Sequence, residues 1–144
     1  MNPLDAFSSK FSNEHLDYIE LKRNFFLESA ELKNLRENIP FEPLSSGLFL
    51  GKDEKSFKPS TALLEILSKS STNKVFINDK AEWLFLCGRD AFKESIIKNR
   101  SFSEPFLIQN ERDENLGLGS FFKKGKMEFV KNAFDRGDFL RREK

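Results

Sequence analysis

Apolar residues in this chain fall in short runs separated by polar turns, and the runs switch between strand and helix periodicity. In His15–Glu28, HLDYIELKRNFFLE, Leu16, Tyr18 and Ile19 flank one arm and Phe25–Leu27 form another. The polar break Lys22–Asn24 between them predicts a β-hairpin. Ser29 then stands as an N-cap for AELKNLREN, whose Leu32 and Leu35 share one helical face. Pro40 and Pro43 end that helix and impose an extended passage. SSGLFLGKDEKSFKP predicts a second hairpin around the charged turn Lys52–Lys55. Ser60 caps TALLEILSK, where Leu63, Leu64 and Leu67 form an apolar stripe.

The polar run Ser68–Asn73, SKSSTN, reads as a linker. After it, KVFIN (Lys74–Asn78) predicts a short strand. Asp79, with Glu82 three residues on, resembles a capping box for a helix that Gly88 ends as a left-handed C′ residue. SIIK, EPFLIQN, LGLGSFFK, KMEFVKN and DFLRR follow as strand-like pieces divided by turns such as NERDEN and DRGD. Several closely spaced strands with one short helix predict a small barrel. The fold class expected is α+β, with domains at 1–72 and 73–144.

Composition narrows the picture. A chain of 144 residues suits one ordinary domain or two very small ones, and can bury roughly two-thirds of its unfolded surface. Its 17 phenylalanines supply large apolar area without a polar tip needing a partner. One cysteine excludes an internal disulfide, and one cysteine with one histidine argues against a structural zinc site. The N-terminus lacks a basic region followed by an apolar run, and no apolar segment approaches the ~20 residues that span a bilayer. An intracellular, reducing compartment is therefore expected. Residues 1–72 carry 9 Lys and Arg against 11 Asp and Glu; residues 73–144 carry 15 against 12. The half with net charge +3 is the one to meet an anion, although ordinary solvated charge gives the same count.

The stretch RDENLGLGSFFKKGKMEF (Arg112–Phe129) pairs glycines with lysines, as phosphate-binding loops do. A Walker A loop requires four residues between its first glycine and Gly-Lys, then Ser or Thr. Here five separate Gly119 from Gly125, and Met127 follows Lys126. A dinucleotide fingerprint requires a third glycine and a helix, whereas Phe122 holds that place and a strand follows. The alternation instead bares one strand face at Gly117 and Gly119, while Leu116 and Leu118 fill the other. Either the barrel's own helix packs there or something else approaches the backbone. Lys123, Lys124 and Lys126 around Gly125 suit contacts to a phosphate backbone, or are solvated turn lysines.

Catalytic chemistry is weak. The carboxylates Glu111, Asp113 and Glu114, and Asp135 with Asp138, lie in turns and are expected to be exposed. His15 has no sequence neighbour that would complete a triad. Cys87 reads as a small buried hydrophobe, and Trp83 as core or as a stacking surface for a base.

KVFINDKAEWLFLCGRDAFKESI, then LGLGSFF, then the Gly137–Phe139 ending, resemble the PUA domain, an RNA-binding barrel, over nearly all of residues 74–144. The first half, with Gly47, Gly51, Lys52, Lys55, Lys58 and a Leu-rich helix leading into the PUA strand, is similar to the pre-PUA domain of the Nip-seven ribosome-biogenesis factors. It departs from them in an N-terminal helix that is shortened or absent, and at Pro59 and Ser60. The resemblance implies a small α/β pre-PUA domain followed by a PUA pseudo-barrel. It implies a non-catalytic factor that binds RNA, including U-rich RNA, in pre-rRNA processing and large-subunit assembly, with no cofactor. Carried over, the RNA-binding positions are Lys123, Lys124, Lys126 and Lys131; Arg89, Lys93, Lys98 and Arg100, near the Gly88 turn, are expected to help them grip the backbone. Ribosome assembly factors or the exosome are the implied protein partners. A cytoplasmic, archaeal-type monomer with no membrane association is expected. Two alternatives stay open: a protein-interaction module docking through residues 1–72, and a stand-alone RNA-modification enzyme.

Overall fold

The computed structural model describes residues 2–138, so the expected strand DFLRR after Asp138, and with it Phe139 of the Gly137–Phe139 ending, lies outside the described residues. Two compact units comprise Met1–Leu67 and Ser68–Lys144.

The first unit opens with a helix that the apolar pattern did not announce, α1 (Pro3–Ser8), capped by the Asn2 side chain. A four-stranded antiparallel sheet follows in chain order: β1 (Tyr18–Leu21), β2 (Asn24–Leu27), β3 (Leu48–Asp53) and β4 (Phe57–Pro59). The first hairpin is tighter than expected. Leu21 pairs with Asn24, leaving only Lys22 and Arg23 in the turn, both at positive φ. That is the type I′ geometry, whose twist matches the paired strands. The helix α2 (Ala30–Asn38) starts where expected, its Ser29 side chain accepting from the Leu32 N–H. Ser60 likewise accepts from the Leu63 N–H at the start of α3 (Thr61–Ser70), and Leu63, Leu64 and Leu67 are buried. Phenylalanines fill this core in contact: Phe7 meets Phe11 and Phe57, and Phe25 meets Tyr18 and Phe57. Burial, with a hydrogen bond from its hydroxyl to Asp5, pushes the Tyr18 phenol up to about 12.

The second unit is built from β5 (Lys74–Ile77), α4 (Asp79–Leu86), β6 (Ala91–Phe92), β7 (Ile96–Asn99), β8 (Phe106–Gln109), β9 (Asn115–Lys124) and β10 (Met127–Asp135). Its six-stranded sheet runs β6-β10-β9-β8-β5-β7, antiparallel except for β5 beside β8. The two edge strands are halves of one segment. β6 pairs with β10, a 3-10 turn spans Lys93–Ser95, and β7 pairs with β5. A connection that short holds the sheet's first and last strands together, so the sheet must curl. The fold is α+β, and the second unit is a curled half-barrel, as expected.

The curl determines who occupies the bared strand face. Gly117 and Gly119 pair with Ile108 and Phe106, which point into the core formed by Val75, Phe85, Ala91 and Val130 among others. The visitor is the neighbouring strand and its side chains, not a helix. A Cβ on Gly117 would lie 1.9 Å from the Phe134 carbonyl oxygen. On Gly119 it would meet Ile108 and Val130 side chains at 2.9 and 3.0 Å. β10 is bulged between Asn132 and Phe134, opposite these glycines. Small residues here let two strands bend across each other.

Two polar residues tie the unit together. Asn73, in the expected linker, is fully buried. It accepts from the Phe102 and Ser103 N–H groups and donates to Ser103 Oγ and the Pro105 carbonyl. Within Ser68–Asn73 the helix α3 runs to Ser70, and Asn73 clips the strand that follows. At the other end of β5, Asn78 rather than Asp79 caps α4, accepting from the Ala81 N–H. Gly88 closes that helix at φ +90°, with the Gly88 N–H on the Phe85 carbonyl and the Arg89 N–H on that of Leu84. This is a Schellman motif.

Gly117→Ala should destabilise the second unit by more than about 3 kcal/mol, because the added methyl strikes backbone that cannot rotate away. Gly125→Ala meets nothing within 4 Å and should cost only about 1–2 kcal/mol for its left-handed backbone. Urea unfolding followed through Trp83, the single tryptophan, measures both. Equal midpoints for the two variants would contradict the close approach.

Candidate nucleic-acid interface

The lysine-rich stretch forms the β9–β10 hairpin. Met127 pairs with Lys124, leaving a two-residue turn of Gly125 and Lys126. Gly125 has φ +64° while Lys126 is not at positive φ, the pattern of a type II′ turn with glycine first. Lys123, Lys124, Lys126 and Lys131 are all exposed. Side-chain alternation separates them: Lys123 and Lys124 are neighbours in sequence and project from opposite faces.

Lys123 lies on the face of its cross-strand partner Glu128. Lys123 Nζ is 3.2 Å from Glu128 Oε1, and Lys93 Nζ is 2.6 Å from Glu128 Oε2. Hydrogen bonds from Lys93 and Lys123 hold the Glu128 carboxyl below its ordinary range, and Glu128 in turn raises Lys93. Two of the eight expected cations therefore share one counter-ion. Lys124, Lys126 and Lys131 have no ion pair among the described residues, so they offer the hairpin's uncompensated charge.

On the opposite face the paired positions read Ser120 with Lys131, then Phe122 with Phe129 with Phe92, then Lys124 with Met127. Phe122 and Phe129 stack at 5.0 Å and 18°, and Phe129 meets Phe92 at 5.2 Å and 40°. The other expected residues divide. Arg89 sits in the Gly88 turn, which Asn132 of β10 fastens by donating to the Phe85 and Arg89 carbonyls. Lys98 and Arg100 lie on the far edge. Lys98 Nζ is 5.9 Å from the Phe76 ring centroid, and the Arg100 N–H donates to the Lys74 carbonyl. The β9–β10–β6 strands thus gather Lys93, Lys123, Lys124, Lys126 and Lys131, with Arg89 beside β10, while Lys98 and Arg100 accompany β5.

Several expectations about individual residues are corrected. Cys87 is exposed, since its place as C-cap of α4 turns it out of the core. Trp83 is 68% exposed and is not core. The turn acids are mostly engaged. Asp135 is buried and accepts from the Asn132 amide. Asp113 pairs with the buried Lys74 at 3.0 Å and accepts from Gln109. Burial opposes the Asp113 charge, but the Gln109 and Lys74 contacts outweigh it and hold the carboxyl low. Glu114 binds Asn110 and Arg112. Asp113 and Glu114 brace the β8–β9 turn and are held in their ionised form, which suits structure rather than proton transfer.

A cavity of about 340 Å³ opens beside Phe92, lined by Ala81, Leu84 and Ala91 with Lys80, Asp90 and Glu94 as its charged residues. In the first unit, a second cavity of about 740 Å³ lies against His15, Tyr18, Glu28 and Arg36. There the Arg36 guanidinium, 2.7 Å away, with Ser46, keeps the Glu28 carboxyl low. Leu32, Leu35, Phe41, Leu44, Leu48 and Phe49 are large apolar side chains exposed on this unit. Among the described residues no three His, Cys, Asp or Glu side chains group to hold a metal, and no helix is long and apolar enough to cross a membrane.

Comparison with known proteins places this geometry. A family model described as the UPF0113 PUA domain matches residues 73–144. A curated protein from Archaeoglobus fulgidus, named UPF0113 protein, is 33% identical over 113 residues, which cover 71% of this chain and 64% of the relative. The match thus spans somewhat less than two-thirds of that relative's length. A solved structure, a conserved PUA domain protein from Thermoplasma acidophilum, is similar over 99% of this chain and 96% of its own, with a TM-score of 0.56. At 17% identity that likeness is one of fold.

Glu128→Gln should free Lys93 and Lys123 and strengthen binding to a polyanion. The slope of log affinity against log salt should steepen by roughly 0.7–0.9 for each lysine that gains a phosphate. Heparin elution and salt-dependent anisotropy measure this, and an unchanged slope would place both lysines outside the contact.

Proposed function

The chain belongs to the UPF0113 PUA domain family, and on that premise we propose that it is a non-catalytic RNA-binding factor. PUA domains generally bind RNA. The observation that carries the reading is the β9–β10 hairpin, with Lys124, Lys126 and Lys131 uncompensated and Lys93 and Lys123 poised on one carboxylate. Lysines of this kind neutralise phosphates without reading bases, so affinity should fall steeply with salt.

The finer reading is a Nip-seven-type factor in pre-rRNA processing and large-subunit assembly. It rests on the resemblance of the first half to a pre-PUA domain, and brings with it U-rich RNA, assembly factors or the exosome as partners, a cytoplasmic site of action and a monomeric state. Arg89 extends the hairpin's charge along β10. Lys98 and Arg100 would serve a strand that continues past β5.

A second reading has its own support. Leu32, Leu35, Phe41, Leu44, Leu48 and Phe49 expose apolar surface on the first unit, and α2 buries none of its residues. Exposed apolar area of this kind fits docking onto a protein, with RNA contact incidental.

The decisive titration is fluorescence anisotropy with labelled U-rich single-stranded RNA at low salt. Lys123→Glu/Lys124→Glu should weaken binding by at least about tenfold, since several phosphate contacts are lost or reversed. Unchanged affinity would remove the hairpin from the interface. Absence of RNA binding in the wild type, together with a stable protein complex lost in Leu35→Glu/Leu44→Glu, would favour the docking reading.

A further inference from the structure

We propose that the ring stack Phe122–Phe129–Phe92 is a base-stacking platform, and that an unpaired base of single-stranded RNA extends it at Phe92. This rests on the RNA-binding reading above and names what the site recognises beyond phosphate.

Three rings stand in one cross-strand row over β9, β10 and β6, at centroid separations of 5.0 and 5.2 Å. β6 is the edge strand, so among the described residues no further strand covers the outer side of Phe92. That ring is 50% exposed, and a cavity of about 340 Å³ lies against it. A row of rings, Phe122 stacked on Phe129 and Phe92 tilted against it, with its outer ring uncovered, is a surface that a flat, aromatic ligand extends. Every base has such a face, which makes the contact tolerant of sequence.

Charge sorts the two parts of a nucleotide. The paired positions flanking the row are Lys131 with Ser120 on one side and Lys124 with Met127 on the other, and none of them is acidic. Glu128, the carboxylate of this hairpin, faces the opposite side with Lys123. Phosphates are therefore drawn to either side of the rings. The cavity beside Phe92 is lined by Asp90 and Glu94 together with Lys80, so its charged groups leave one negative charge in excess, which favours a neutral base there over a phosphate. A protein segment docking on the rings would not need cations on both flanks, and duplex RNA keeps its bases stacked inside and could not offer one.

The full chain is titrated by anisotropy with a labelled mixed-sequence RNA 12-mer and with the same strand carrying abasic nucleotides in its centre. The phosphate number is equal, so the ratio of affinities reports the bases alone. The expected ratio is at least about tenfold for the wild type. Phe92→Leu, at a half-exposed edge position, should bring the ratio towards one while leaving the abasic strand's affinity unchanged. Phe92→Trp should restore it. A wild-type ratio near one, with both strands bound, overturns the platform and leaves phosphate binding intact. Failure to bind either strand overturns the RNA reading and the platform with it. A Phe92→Leu ratio equal to the wild type's, with unchanged melting temperature, also overturns the platform.

Discussion

The passage of β10 across β9 at Gly117 is the constraint on which the second unit depends. The Phe134 carbonyl occupies space that any side chain at Gly117 would need. With that space vacant, β10 bulges and bends over β9, and Ile108, Phe106 and Val130 fill the interior that the glycines leave open. The bend brings the sheet's ends close enough for Lys93–Ser95 to join them. From this follow the edge position of Phe92 and the pairing of β6 with β10. The meeting of Lys93 with Glu128 follows as well. Without the curl, Lys93 and Lys123 would have no common carboxylate and the ring row would stop at Phe129.

The electrostatics of the hairpin depend on the same register. Glu128 opposes Lys123 directly and Lys93 reaches it from beside β6, so two cations are held in place by one anion at modest cost in side-chain freedom. Exposed pairs of this sort contribute little to stability, typically below about 1 kcal/mol. Their effect is on where charge is available. On the face carrying Glu128 one of two positive charges is offset, while the ring face, with Lys124 and Lys131, keeps both of its own. One strand pair thus presents two faces of different electrostatic character.

Much of this was legible along the chain, and the exceptions share physical causes. The hairpins, the Ser29 and Ser60 caps, the Gly88 terminus and the order of the strands follow from local periodicity and turn chemistry, which are short-range. The cap of α4 was misplaced by one residue because Asn78 and Asp79 are both good capping residues, and only the backbone decides between them. Cys87 and Trp83 were assigned by the apolar run around them, but a short helix packs one face only and leaves the other wet. Asp113 and Asp135 looked like turn acids because their partners, Lys74 and Asn132, come from other strands or lie across a bulge. The two-residue β6 has no period to read and exists through its pairing with β10. At the site, the lysines were visible as a cluster. Their division between two faces, the counter-ion shared with Lys93 and the ring row required the register.

That division also decides what kind of phosphate the hairpin suits. A mononucleotide loop concentrates backbone N–H groups and one lysine on a single phosphate at a helix N-terminus. Here the strand β10 rather than a helix follows Gly125, and adjacent strand amides point to opposite edges, so those of Lys123 and Lys124 do not converge on one point. Lys123 and Lys124 point to opposite faces, and Lys131 lies several residues back along β10, across from Ser120. No single phosphate can reach them all. A chain of phosphates that passes over the ring face, or around the turn at Gly125, meets them in succession. The spacing that excludes a nucleotide loop is the spacing a polynucleotide requires, so the same lysines that fail one motif define the other.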